Sequence, residues 1–194
     1  PIYAKDLAGL EYLDLSGSGV VDFDPLLEAT SLKYLDLSGS GIVDLDPLSR
    51  STSLEYLDLS GNRLITDISP LKDLTNLRTL LLNSNSINNI GVLADKIDLG
   101  HLSLRDNQIT DVQALLDNSG LGTGDVLSLN GNPLSAQAVK VQVPELRERG
   151  FASFQFDNFI MKMVEVSPDL LVSQDIGSVS VLGSTEITER GKYL

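Results

Sequence analysis

The chain has 194 residues, which is long enough for one elongated repeat domain with a small appendage. Its net charge is −13 at pH 7, and residues 1–60 contribute −8 of this, with eight Asp and three Glu against two Lys and one Arg. Such an acidic field repels nucleic acid and anionic lipid and favours basic partners or cations. The chain has no Cys, which excludes disulfides and thiolate metal sites, and no apolar run approaches membrane-spanning length.

The first residues look like the end of a unit that recurs later. Lys-Asp-Leu at 5–7 stands before Leu10 as Lys-Asp-Leu at 72–74 stands before Leu77. A repeat array normally begins with a polar capping unit, and none precedes Leu10. We therefore expect residues 1–9 to be the tail of a truncated repeat and the chain to be part of a longer protein.

A leucine pattern recurs along most of the chain. Its clearest copy is SLEYLDLSGNRL at 53–64, in which Leu54, Leu57, Leu59, Asn62 and Leu64 read L-x-x-L-x-L-x-x-N-x-L. Copies start at Leu10, Leu32, Leu54, Leu77 and Leu99, and a degenerate copy starts at Gly124. The successive spacings are 22, 22, 23, 22 and 25 residues, so residues 1–134 are predicted to be leucine-rich repeats.

Each repeat is predicted to contain a short strand. Leu57 and Leu59 are two residues apart and face the core, whereas Tyr56 and Asp58 face away from it. A single strand cannot bury its leucines, so parallel stacking of successive repeats is expected. In the later repeats an asparagine follows the strand and can satisfy backbone groups in the turn. The first two repeats have Ser18 and Ser40 at this position, and because serine has fewer donors these two turns should be weaker.

The return segments VDFDPLL, VDLDPLS and TDISPLK also repeat, and proline at 25, 47 and 70 suits the start of a short helical turn. Here the chain resembles the short-period repeats of bacterial internalin-like proteins, over about residues 6–157. The matching residues are Asn62, Asp67, Ile68, Pro70, Leu71, Leu74, Thr75 and Leu77. The resemblance implies an α/β fold: a right-handed leucine-rich repeat solenoid with a parallel β-sheet on its concave face, short helical or 3-10 turns on its convex side, and a C-terminal helix-strand cap.

The strand residues that face away from the core form the candidate binding surface, because repeat solenoids bind with the concave side. The candidates are Tyr12, Asp14, Tyr34, Asp36, Tyr56, Asp58, Leu81, His101 and Arg105. One interpretation is that the Tyr and Asp columns are solvated filler of the repeat. The other is an aromatic and acidic patch for a basic or polyhydroxylated ligand. A calcium site is disfavoured, because a flat ladder does not wrap a metal ion with six to eight oxygens.

Signals for catalysis are weak. His101 is the only histidine, which excludes a two-histidine metal site and leaves a single candidate for any Ser-His-Asp arrangement. Glycines at 120, 122 and 124 are not followed by Gly-Lys-Ser/Thr, so the segment is predicted to be a turn rather than a nucleotide-binding loop. The chain is predicted to be no enzyme and to hold no cofactor and no metal.

Residues 135–157 are predicted to cap the repeats. Ser135 suits the N-cap of a helix that extends to about Arg149, Pro144 should bend or divide this helix, and residues 151–156 alternate as a strand. Residues 158–194 contain short strand patterns broken by turn residues. This β-rich tail is expected to be either a linker or, as the resemblance implies, the start of an immunoglobulin-like domain.

The predicted function is non-catalytic recognition of a protein or glycan, with a basic ligand favoured by the acidic charge, and without binding of nucleic acid or insertion into a membrane. The resemblance implies an extracellular or cell-surface location, with a cytoplasmic location kept as an alternative. Two other interpretations stay open. One is an intracellular scaffold or regulatory repeat protein, and the other is a targeting domain of a larger enzyme. The molecule is expected to be a monomer.

Overall fold

The computed structural model describes residues 7, 9–156, 171–175 and 178–182. The chain divides into two units, Pro1–Asp157 and Asn158–Leu194. Within the described residues of the first unit, seven three-residue strands follow one another along the chain. They are β1 (Tyr12–Asp14), β2 (Tyr34–Asp36), β3 (Tyr56–Asp58), β4 (Thr79–Leu81), β5 (His101–Ser103), β6 (Val126–Ser128) and β7 (Ser153–Gln155). Each strand pairs in parallel with the next, so the spatial order is the chain order.

The middle residue of each strand faces the core. In β2 to β6 these residues are Leu35, Leu57, Leu80, Leu102 and Leu127, all 0% exposed. The register pairs each leucine with its equivalent in the neighbouring strand, which stacks them in one row, as the period-two alternation predicts. Leu13 of β1 is only half-buried, because among the described residues β1 pairs with β2 alone.

Each repeat returns through a short helical turn on the convex side. These are the 3-10 turns Asp24–Glu28, Asp46–Leu48, Ser69–Leu71 and Gly91–Leu93, followed by the α-helix Gln113–Asp117. Each begins two residues after an Asp or Asn whose Oδ1 accepts the backbone N–H of the first turn residue, at 2.7–3.0 Å. The leucine after each predicted proline is fully buried, which confirms its place in the core.

The asparagine after the strand joins neighbouring repeats. Asn62 Nδ2 donates to the Leu59 carbonyl of its own repeat at 2.8 Å and to the Leu37 carbonyl of the preceding repeat at 3.0 Å, while Oδ1 accepts the Gly41 N–H at 2.8 Å. The same pair of carbonyl contacts is made by Asn85, Asn107 and Asn132. Ser40 Oγ donates to the Leu37 carbonyl at 2.7 Å and lies 3.4 Å from Asn62 Oδ1, but it reaches no carbonyl of the preceding repeat. The second repeat therefore has fewer donors to backbone carbonyls, as predicted.

The prediction that Leu64 fills the last apolar position of its repeat is wrong. Leu64 is 66% exposed, and Ile65 is fully buried in its place. The third repeat has one residue more than its neighbours, as its 23-residue spacing shows. The extra residue lies between Asn62 and Ile65, next to Arg63, whose φ of 59° is uncommon for a residue other than glycine.

A lysine occupies one buried position behind the sheet. Lys96 is 0% exposed and stands where Leu74 stands one repeat earlier. Its Nζ donates to the Lys72 carbonyl at 2.7 Å. Burial lowers the pKa of Lys96, whereas the negative charges of Asp73 and Asp95 oppose this shift. The long aliphatic side chain of Lys96 thus fills a leucine site at the cost of burying an ammonium group.

The C-terminal cap forms as a divided helix. Ser135 Oγ accepts the N–H of Ala138 at 3.1 Å, which confirms the predicted N-cap. The helix then changes from a π-helical turn, Ala138–Gln142, to an α-helix, Val143–Arg147. Pro144 lies at the start of this second part, where its missing N–H is tolerated. The division that Pro144 predicted is therefore present.

The strand predicted at 151–156 forms as β7 and covers the edge of β6. Phe154 pairs with Leu127, so an aromatic ring continues the row of leucines. The Arg149 guanidinium donates to four backbone carbonyls, at residues 115, 116, 118 and 121, and so ties the cap to the last repeats. The cap thereby closes the C-terminal end of the leucine core.

The second unit contains an antiparallel hairpin of β8 (Leu171–Asp175) and β9 (Ser178–Leu182). The strands predicted around residues 163–170 and 185–194 lie outside the described residues, and the prediction of an immunoglobulin-like beginning falls largely on the same segments. In the part of the chain that the structure describes, no helix is both long and apolar enough to cross a membrane.

Candidate binding surface on the parallel sheet

Three tyrosines stand in one column on the concave face, and we call them the tyrosine column: Tyr12, Tyr34 and Tyr56. The register places each beside its equivalent in the next strand. Neighbouring ring centroids are 4.3 Å apart and the ring planes differ by 10° and 9°. The rings therefore stack face to face in a continuous array. Tyr12 is 58% exposed at the end of the array, whereas Tyr34 and Tyr56 are half-buried.

The aspartate column, Asp14, Asp36 and Asp58, runs beside the tyrosine column at two residues' distance along each strand. Each aspartate Oδ1 accepts the backbone N–H of the serine two residues later, at 2.8–2.9 Å. This N–H, followed by the Ser16 side chain, lowers the pKa of Asp14. These local bonds fix the carboxylates in a row, with one oxygen of each held by the backbone.

The surroundings of Tyr34 and Tyr56 raise the pKa of both hydroxyls and so favour their neutral form. Burial between its neighbours is the main cause that raises the pKa of Tyr34, and repulsion by an ionised Tyr56 adds to it. Burial also raises the pKa of Tyr56, with the negative charge of Asp58 as the next cause. Tyr34 and Tyr56 therefore present uncharged hydroxyls next to a row of carboxylates.

Sequence reasoning missed a third column, the residues that precede the tyrosine column. It alternates in sign through Glu11, Lys33, Glu55 and Arg78. Lys33 Nζ lies 3.0 Å from Glu11 Oε2, and Arg78 Nε lies 3.8 Å from Glu55 Oε2. The repeat spacing applied to the position before each tyrosine would have revealed it. These exposed pairs contribute little stability, and they leave the aspartate column as the uncompensated charge.

The predicted residues of the later repeats do not form one cluster. His101 is exposed in line with the tyrosine column, because Tyr56 pairs with Thr79 and Thr79 with His101. Leu81 is half-buried in line with the aspartate column, since Asp58 pairs with Leu81. Arg105 is exposed one column further, where its N–H donates to Asn83 Oδ1 at 3.0 Å.

The second half of the concave face also carries fewer charges, and its polar side chains form hydrogen bonds with one another. Ser103, the partner of Leu81 in the register, is buried and donates through its hydroxyl to Asn83 Oδ1 at 2.6 Å. Asn83 Nδ2 in turn donates to Ser60 Oγ at 3.3 Å. The columns of tyrosine and aspartate therefore end at the third repeat, and the face divides into an acidic aromatic part and a mixed part.

The surface does not offer a metal cage. Within the described residues, no group of three or more His, Asp or Glu side chains is arranged to hold a metal ion. A column of carboxylates along a flat sheet gives single oxygens in a row, whereas Ca²⁺ takes six to eight oxygens around it. The aspartate column is thus suited to a row of separate positive groups.

Comparisons with known proteins agree with this fold. A family model described as leucine-rich repeats (2 copies) matches residues 30–73. The solved structure of internalin C2 from Listeria monocytogenes is similar with a TM-score of 0.67 and 31% identity, over 78% of this chain and 63% of that one. The structure of an internalin (inlF) from the same organism is similar with a TM-score of 0.63 and 30% identity, over 76% of this chain and 43% of that one. No curated protein sequence matches significantly.

These findings define the class of the molecule. The chain is a leucine-rich repeat protein, a parallel seven-stranded solenoid with short 3-10 turns. Its repeats are of the internalin-like, short-period kind. The chain spans 63% and 43% of the lengths of the two internalins, so what those whole proteins do is not carried over to it.

Proposed function

We propose that this chain is a non-catalytic recognition module that binds a basic protein segment on the acidic aromatic part of its concave face. The observation that carries the proposal is the in-register alignment of the stacked tyrosine column beside the aspartate column across three strands. Tyrosine gives rigid contact area with a polar tip, and it is enriched at protein interfaces. The module is proposed to act at the cell surface, which the likeness to internalins supports.

A basic extended segment fits this surface by charge and by spacing. Parallel strands lie about 4.8 Å apart, so three carboxylates repeat at that interval and repel one another when they are not compensated. Lys or Arg side chains of a partner would remove this repulsion and could contact the tyrosine hydroxyls beside them. The net charge of −8 in residues 1–60 would also speed the encounter with such a partner.

The test uses a display library of random peptides selected on the full chain, and then measures the affinity of the selected peptides for variants. The test variant carries Asp14→Asn, Asp36→Asn and Asp58→Asn. The control variant, with the same change in charge at exposed positions elsewhere, carries Asp67→Asn, Asp98→Asn and Asp117→Asn. We expect selected peptides to be rich in Lys and Arg, and to bind the test variant about tenfold more weakly, because each exposed ion pair contributes about 0.2–1 kcal/mol.

The salt dependence separates the specific site from general attraction. Binding to the wild-type chain should weaken as salt increases, and the test variant should lose most of this dependence while the control keeps it. Equal losses in the two variants would reduce the role of the surface to net charge and contradict the proposal. Selection of oligosaccharide ligands but no peptides, in a parallel glycan screen, would also contradict it, since the partner would then be a glycan.

A further inference from the structure

A second surface of the first two repeats exposes apolar side chains away from the sheet. Val21 is 98% exposed and Val43 is 48% exposed, at equivalent positions just after the last apolar residue of their repeats. The next three repeats place Thr66, Asn88 and Thr110 at this position. The apolar character is therefore confined to the first two repeats and is not a requirement of the fold.

The same two repeats have an open groove between these loops. It is lined by residues 19–24, 40–44 and 47, and we call it the loop groove. Gly19 and Gly41 leave it open, because a Cβ on either would meet no atom within 4 Å, whereas later repeats carry Ser86 and Gln108 at this position. Both glycines have positive φ, 62° and 82°, which a side chain would strain.

The loop groove combines apolar walls with negative charge. Phe23 is half-buried in its wall, in the first repeat, which has a described neighbouring repeat on one side only. Three exposed aspartates line it: Asp22, Asp24 and Asp44. None of these three carboxylates takes part in the ion pairs found between described residues. A ligand for this groove must therefore bring both aliphatic groups and positive charge.

We propose that the loop groove is a second binding site, separate from the sheet, that receives a protein segment in which aliphatic residues stand next to Lys or Arg. The aliphatic side chains contact Val21, Val43 and Phe23, and the basic side chains pair with the aspartates. Charge complementarity selects this occupant, because an acidic rim disfavours a purely apolar or an acidic segment.

The test follows amide resonances of the full ¹⁵N-labelled chain by NMR during titration with three peptides. The peptides are acetyl-Leu-Lys-Leu-Lys-amide, acetyl-Ser-Lys-Ser-Lys-amide and acetyl-Leu-Glu-Leu-Glu-amide. We expect only the Leu-Lys peptide to shift the resonances of Gly19 and Gly41 in a saturable manner. Equal shifts with the Ser-Lys peptide would reduce the groove to a general electrostatic attraction and overturn the proposal.

A matched pair of variants locates the contact. The double variant carries Val21→Thr and Val43→Thr. Threonine is compatible with the fold at this position, because Thr66 and Thr110 occupy it in later repeats. The double variant should weaken binding of the Leu-Lys peptide about fivefold or more, because two buried methyl groups are replaced by hydroxyls. Val141→Thr, at an exposed valine on the capping helix, should leave binding unchanged.

Three results would overturn the proposal. One is undiminished binding to the Val21→Thr, Val43→Thr variant. Another is a set of shifts confined to the tyrosine column, which would assign the peptide to the sheet. The third is concentration-dependent dimerisation in sedimentation experiments that the double variant abolishes, since a second copy of the chain would then be the occupant.

Discussion

Replacement of Asn62 by alanine tests how the repeats are held together. The change removes two donated hydrogen bonds, to the carbonyls of Leu37 and Leu59, and one accepted bond from the Gly41 N–H. Both carbonyls keep one other side-chain donor, so neither is left without a partner. The Gly41 N–H loses the acceptor that Asn62 provides. Gly41 is exposed, so water can replace this acceptor, and the chief penalty is the lost link between the second and third repeats.

The expected loss of stability follows from these contacts. A typical hydrogen bond contributes about 0.5–1.5 kcal/mol. Because Asn62→Ala removes three of them, it should lower the free energy of unfolding by about 2–4 kcal/mol. Urea denaturation followed by circular dichroism measures this loss. Asn76→Ala is the control, because Asn76 is exposed and donates one bond, to the Thr52 carbonyl at 2.9 Å.

The control should lose no more than about 0.5 kcal/mol, as is usual for exposed positions. Equal losses for Asn62→Ala and Asn76→Ala would refute the reasoning, because the buried ladder would then contribute no more than a surface amide. A large loss at Asn62 alone would support the view that this amide, and not leucine burial only, links one repeat to the next.

Three further predictions concern single positions. Lys96→Met should raise the melting temperature by about 2–6 °C, because the free-energy cost of burying the ammonium group exceeds the gain from its one hydrogen bond. Folding lowers the pKa of Lys96, so the stability of the wild-type chain should rise with pH towards about 10. Calorimetry at several pH values should show that Lys96→Met removes this rise. Leu64→Ser should change the free energy of unfolding by less than about 0.5 kcal/mol, whereas Ile65→Ala should cost about 2–5 kcal/mol in urea titrations; the reverse order would contradict the corrected register. In an ultraviolet titration, Tyr34 should ionise at a higher pH than an exposed tyrosine, and Tyr34→Phe should remove this late ionisation. Because folding raises the pKa of Tyr34, its contribution to stability should be present at neutral pH and decline above about pH 10.

Much of the candidate surface could be predicted from the repeat period alone. Once Leu57 is assigned to the core, strand alternation fixes Tyr56 and Asp58 on the opposite face, and the constant spacing aligns them with their equivalents. The prediction of core positions was wrong where the 22-residue repeat period is broken. Leu64 has the residue type that the motif requires, but the extra residue in its repeat turned it outward and placed Ile65 in the core.

Chemical identity was also a poor guide at two positions. A lysine is expected at the surface, and only its position equivalent to Leu74 shows that the side chain of Lys96 fills a leucine site. Val21 and Val43 are apolar side chains, yet the loops expose them. In both cases burial is decided by what neighbouring repeats place around the residue, and a local pattern does not contain that information.

By itself, the sequence determined the solenoid, the parallel register and the closing cap, because leucines with a fixed period are buried together when successive repeats stack in parallel. Only the tertiary structure decided which side chains line the surfaces between repeats. The spacing of 22 residues already predicted that Tyr12, Tyr34 and Tyr56 stack in a column. It did not predict the groove between the first two loops, which also arises from residues 22 positions apart. Such contacts depend on how closely one turn of the chain lies against the next, and this distance exists only after folding.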